Sequence, residues 1–219
     1  MSRPRRSSGS WRARQERDPY VRKARSEGFR ARSAYKLAEI AEKERLLRPG
    51  TVVVDLGAAP GGWSQYVTGR LDGKVRIIAV DLLPVDPLPS VEVIQGDFTQ
   101  ENVLRELLER VGEAGADLVM SDMAPNITGN RAVDQPRSMY LAELALDTAR
   151  RVLQGRGNFV CKVFQGEGTE AFVAEARAAF ERVRIVKPRA SRPGSREIYV
   201  VALDFRGSRD ATASEKPPE

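Results

Sequence analysis

The stretch Val52–Ser64, VVVDLGAAPGGWS, decides the fold. Val52, Val53 and Val54 are β-branched and consecutive, the pattern of a parallel strand buried on both faces. Asp55 comes at its carboxyl end, where open α/β sheets hold their ligands. Gly57, Ala58, Ala59, Gly61 and Gly62 then form a loop with almost no side-chain bulk, so the backbone can approach a bound molecule closely. A helix is expected to open near Trp63. Taken alone, an ordinary glycine-rich turn explains the loop equally well.

The loop excludes two common nucleotide motifs. It runs G-A-A-P-G-G, with Ala59 where the dinucleotide fingerprint G-x-G-x-x-G needs its second glycine. It also lacks the Gly-Lys-Ser/Thr ending of a P-loop. A Pro-Gly-Gly turn behind an acidic strand end suits a ligand without phosphates, such as S-adenosylmethionine (SAM).

The 219 residues suffice for one full domain. No apolar run reaches the roughly 18 residues of a membrane span, and no apolar segment follows the basic start as a secretory signal requires. The single cysteine, Cys161, rules out an intrachain disulfide and suits a reducing, cytoplasmic setting. Histidine is absent, which removes histidine nucleophile activation, metal ligation and general-base work together. A monomer and no membrane partner are expected.

The net charge of +6 is uneven: +8 over residues 1–32, −6 over 33–181, and +6 over 182–209. Basic ends around an acidic middle suggest a polyanion gripped by the flanks. Residues 1–18 are expected to be a flexible basic tail and 207–219 a flexible C-terminal one, with a single domain over 19–206. Within it, an amphipathic helix is predicted over 33–47, stopped by Pro49-Gly50. Strands are predicted at 51–55, 76–81, 91–95, 117–121, 157–164, 183–187 and 197–205. Helices are predicted at 63–71, 100–114, 136–154 and 168–181. This alternation predicts a mostly parallel seven-stranded α/β sheet with helices on both faces. The last two strands have no helix between them and predict an antiparallel hairpin at one edge.

Acidic residues fall at four successive strand ends: Asp55, Asp81, Asp97 and Asp122. One such residue is ordinary capping; four along one rim point to a ligand. Asp81 lies twenty residues after Gly61, where a carboxylate can accept from ribose hydroxyls, and Asp97 is placed to meet an adenine edge. Lys162 interrupts the apolar run NFVCKVF, a costly position unless the ammonium is paired or points into a site. Glu197 raises the same question with opposite sign at the start of EIYVV. Lys36, beside Tyr35, is unremarkable alone.

These residues together resemble the FtsJ/RrmJ family of RlmE-type methyltransferases. RARSAYKL (30–37), VVVDLGAAPGGWSQYV (52–67), SDMAPNITGN (121–130), FVCKVFQGEG (159–168) and SRPGSREIYVVA (191–202) carry the likeness, which extends from about Arg22 to Phe205. The resemblance implies a Rossmann-like SAM-dependent fold and methylation of a uridine ribose 2′-hydroxyl in 23S ribosomal RNA, within the large ribosomal subunit. It implies a catalytic tetrad of Lys36, Asp122, Lys162 and Glu197, SAM contacts from Gly61, Trp63, Asp81, Asp97 and Asp122, and no metal. Lys162 would accept the hydroxyl proton or orient the hydroxyl, and the sequence leaves both open. RNA contacts are expected from basic residues in 12–32 and from the loop 187–196. Relatives acting on tRNA, and a ribosome-assembly RNA-binding factor, are the alternative readings; an NAD-linked oxidoreductase is disfavoured by the missing fingerprint.

Overall fold

The structure, a computed structural model, describes residues 17–207; most of the two expected tails lies outside the described residues. Helix α1 spans Pro19–Ser26 and α2 spans Ala34–Glu44. There follow β1 (Thr51–Leu56), α3 (Gly62–Arg70), β2 (Val75–Asp81), β3 (Val91–Gln95), α4 (Glu101–Val111), β4 (Ala116–Ser121), α5 (Arg131–Val152), β5 (Leu153–Phe164), α6 (Thr169–Ala179), β6 (Phe180–Val186) and β7 (Glu197–Phe205). The seven strands form one sheet in the order β3-β2-β1-β4-β5-β7-β6. The first five are parallel, and β7 runs antiparallel to both β5 and β6. The predicted architecture and edge hairpin are therefore present, with β7 wedged between β5 and β6.

The two-residue period of each strand divides the core. Val54 and Leu56 enter a cluster with Ile78, Val80, Leu107, Leu146 and Phe172, which seats α4, α5 and α6 on one face. Val53, one residue away, joins Leu37, Ile40, Trp63, Val67, Ile77 and Leu118, which seats α2 and α3 on the other. Leu37 and Ile40 have no exposed surface. Burying each fully stabilises the fold by about 1.5–3 kcal/mol, and this fixes the face that α2 turns to the sheet.

Several boundaries differ from the sequence reading for local reasons. Helix α2 ends at Glu44, before Pro49-Gly50, because Arg45 turns left-handed (φ 54°) and its N–H returns to Ala41 and Glu42. Helix α4 stops at Gly112 (φ 75°). Helix α5 starts at Arg131, five residues before Pro136, because the Asn130 side chain accepts from the Ala132 N–H. Strand β5 starts at Leu153 with no loop after α5. Leu153 pairs with Ala116, and the register then jumps to Leu118 with Asn158, leaving an irregularity around Arg156 (φ 66°).

The parallel order reverses between β1 and β4, so the crevice at their carboxyl ends is the expected ligand position. Because β7 is antiparallel, its first residue, Glu197, reaches this same rim.

Candidate active site

Strand register explains how the distant tetrad residues converge. Ser121, the last residue of β4, pairs with Cys161 on β5, so Asp122 emerges beside Lys162. Lys162 in turn lies opposite Tyr199 on β7, with Glu197 two residues before it on the same face. Helix α2 packs against this face through Leu37 and Ile40 and brings Lys36 over the strand ends.

Two ion pairs result. Lys36 Nζ lies 2.7 Å from Glu197 Oε1. Lys162 Nζ lies 3.1 Å from Asp122 Oδ1 and also donates to the Asp122 backbone carbonyl. The four side chains are only 10–20 % exposed, so they face one another more than water. Tyr199, which sequence reasoning did not single out, stands between the pairs. Its hydroxyl donates to Asp122 Oδ1 at 2.7 Å, and Lys36 Nζ lies 5.7 Å from its ring centroid. The available signal was its spacing, two residues from Glu197 on a strand.

The residues expected to hold SAM line the remainder of the rim. Gly61 is the left-handed N-cap of α3 (φ 98°), and a Cβ there would come 2.8 Å from Arg30 Nη1. That guanidinium clamps the loop by donating to the carbonyls of Pro60, Asp86 and Pro87. Gly57 allows a close approach of another kind, because a Cβ there would overlap Met123, which follows Asp122. The N–H groups of Gly62 and Trp63 open α3 with no acceptor among the described residues, and a helix N-terminus of this kind favours a carboxylate.

Trp63 itself is core. Its indole N–H donates to Ser33 O at 2.9 Å and its ring packs 5.9 Å from Tyr199. What it offers the rim is its backbone N–H. Asp81 accepts from Ala59 N and Leu83 N, both at 2.8 Å, tying the β1 and β2 loops together. Each of its oxygens retains acceptor capacity. Asp97 accepts from Thr99 N at 2.9 Å in a turn preceding α4, so this carboxylate also performs the capping role that any strand-end Asp can.

Beneath the loop, Asp55 is almost fully buried and accepts from Ser64 Oγ at 2.7 Å. Burial pushes its carboxyl up to about 7; the Ser64 hydrogen bonds oppose that, and the negative charges of Asp122 and Asp81 add to it. Asp81 and Asp97 accept only from backbone N–H groups and have no cationic partner among the described residues, so the rim keeps two uncompensated carboxylates, which suits a cationic ligand. Beyond it, the Asp134 carboxylate accepts from Thr128 N, Thr128 Oγ1 and Gly129 N, which pins the loop after Asp122 and holds its carboxyl below the usual range.

A basic shoulder adjoins Lys36 and Glu197. Asp18 caps α1 through Tyr20 N and pairs with both Arg32 and Arg192, the latter at 3.2 Å. Arg32 also donates to Ala190 O, and Arg189 N donates to Glu39 at 2.7 Å. The loop 187–196 is thereby fastened to α1 and α2. The residues at 12–16 expected to share this role lie outside the described residues.

The chain has relatives among known proteins. The model of the FtsJ-like methyltransferase family matches residues 29–205. The chain is 51 % identical over 207 residues to a Pseudomonas fluorescens (strain Pf0-1) protein named ribosomal RNA large subunit methyltransferase E, covering 94 % of this chain and 99 % of that one. It is 52 % identical over 201 residues to a protein of the same name from Cellvibrio japonicus (strain Ueda107), covering 92 % and 95 %. The crystal structure of a Plasmodium falciparum chain assigned as a ribosomal RNA methyltransferase is similar at TM-score 0.73 and 30 % identity, covering 82 % of this chain and all of that one. The matched span begins just before α2, ends with β7 and includes every residue of the two ion pairs, so the chain belongs to the FtsJ-like methyltransferase family.

Proposed function

We propose that this chain transfers a methyl group from SAM to the 2′-hydroxyl of a uridine ribose in 23S ribosomal RNA of the large subunit. The names of the relatives support the RNA class. The observation that carries the reading is the meeting of two lysine–carboxylate pairs at one sheet rim, beside a strand-to-helix loop of small residues that Asp81 accepts from.

The donor set fits SAM. The free N–H groups of Gly62 and Trp63 suit its carboxylate, Asp81 its ribose, Asp97 its adenine edge, and the acidic crevice its positive sulfur. Bound there, SAM supplies an activated methyl group, so no residue of the chain has to create an electrophile.

What the chain contributes is position and proton management. Orienting reactants can lower a barrier by about 7–11 kcal/mol. Lys162, held by the Asp122 carboxylate and carbonyl, either accepts the 2′-hydroxyl proton as its neutral amine while the oxygen takes the methyl, or as the ammonium donates to that oxygen and directs its lone pair toward the methyl, the proton then leaving to solvent. Lys36 and Glu197 hold the ribose from the opposite side. The exposed Arg189 and Arg192, on a loop that the largely buried Asp18–Arg32 pair fastens, contact phosphates, giving an affinity that falls steeply with salt.

The test incubates the chain and labelled SAM separately with 23S rRNA, large subunits and tRNA, followed by nucleoside analysis. The expected product is 2′-O-methyluridine in 23S rRNA or large subunits. Label confined to tRNA, or to a base, contradicts the proposal, and binding without any transfer favours an assembly factor.

A further inference from the structure

Both ion pairs touch one side chain outside the expected tetrad. We infer that Tyr199 is a positioning residue that couples the pairs, its hydroxyl sharing Asp122 Oδ1 with Lys162 and its ring face seating Lys36. The inference rests on the methyl-transfer reading above.

The geometry fixes the direction of each contact. An ionised carboxylate only accepts, so Tyr199 donates to Asp122 at 2.7 Å. Asp122 Oδ1 also lies 3.1 Å from Lys162 Nζ and therefore divides its negative charge between two donors. The phenol is fully buried, and burial with the nearby Asp122 and Glu197 charges holds its proton firmly, which makes it a permanent donor. The ring cannot drift, since it packs on Trp63, whose indole is tied to Ser33 at the foot of α2. Lys36 thus sits over a fixed ring while its ammonium pairs with Glu197.

The charged and titratable groups around this hydroxyl are Asp122 from the end of β4, Lys162 and Cys161 from β5, Glu197 from β7 and Lys36 from α2. Asp55 of β1 lies behind them, within reach of the Asp122 charge. Of these, Lys162 alone shares an acceptor atom with it among the described residues. Removing the phenol O–H leaves Asp122 Oδ1 to Lys162 alone and strengthens that ion pair.

Three forms of the full chain separate this role from a structural one. Tyr199→Phe keeps the ring and loses the donor. Its turnover should fall about tenfold on the acid side, with that limb of the pH–rate profile moved up by as much as about one unit and the high-pH plateau regained. KM for SAM should not change. Tyr199→Leu also loses the seat of Lys36, so its turnover should stay low at every pH. Site-specific 3-fluorotyrosine, a stronger donor of nearly unchanged size, should move the limb the other way even if the substitutions fold poorly. The Lys162 Cε resonance, followed by NMR through a pH titration, reads the same shifts without turnover. It therefore separates failure of this inference from failure of the methyl-transfer reading. Profiles and NMR midpoints that coincide with those of the unsubstituted chain in Tyr199→Phe and in the fluorinated form would overturn the coupling.

Discussion

Lys162 and Tyr199 are direct register partners across the antiparallel β5–β7 ladder, and both reach the same oxygen of Asp122. The site is therefore built by the one antiparallel insertion in an otherwise parallel order. Had β7 run parallel to β5, Glu197 would emerge at the opposite end of the sheet from Lys162. The edge hairpin is what brings its carboxylate to the rim that holds Asp122 and Lys162.

Asp55 makes stability depend on pH in a definite direction. In the folded chain it keeps its proton up to about pH 7, whereas the unfolded chain releases it near the ordinary carboxylate value. Folding takes up a proton across that window, so this contribution falls as pH rises from about 4 to 7. Asp55→Asn keeps an acceptor for Ser64 and removes the slope. Denaturant titrations should find the variant more stable by on the order of a few kcal/mol above pH 7 and level with the parent at pH 4.

Gly61→Ala combines a left-handed backbone with a Cβ pressed on the Arg30 guanidinium. The backbone alone costs about 1–2 kcal/mol. The variant should melt lower and bind S-adenosylhomocysteine more weakly, as read by calorimetry. Gly194→Ala, whose Cβ meets nothing within 4 Å, is the control.

Asp18 is the fastener between α1 and the loop 187–196. Asp18→Ala removes an N-cap worth about 0.5–2 kcal/mol and leaves the largely buried Arg32 without its carboxylate. Filter-binding assays should find weaker affinity for ribosomal RNA, while calorimetry finds S-adenosylhomocysteine affinity unchanged. Arg192→Ala should weaken RNA binding uniformly and lower the salt slope by about one.

Much of this site was legible in the sequence because its signals are chemical anomalies. A lysine inside NFVCKVF and a glutamate opening EIYVV stand out against apolar strands, and Asp residues at successive strand ends mark the rim. The parallel core was legible in Val52–Val54 for the same reason. What escaped notice depends on three-dimensional partners. Tyr199 looks like any strand aromatic until Asp122 meets its hydroxyl, and Asp18 gives no hint of Arg192, 174 residues away. The start of α5 was hidden because Pro136 itself reads as a first-turn residue, whereas Asn130 caps the helix earlier. Trp63 carries a ligand role by resemblance, yet its side chain serves the core.

The most direct measurement pairs turnover with ligand binding in Lys162→Ala. Its Nζ contacts Asp122 alone among the described residues, so its loss leaves the loop from Gly57 to Gly62, Asp81 and Asp97 in place. The account predicts that methyl transfer to large-subunit RNA falls by at least about 10²-fold while calorimetric affinity for S-adenosylhomocysteine stays at the parent value. Turnover near that of the unsubstituted chain would contradict it.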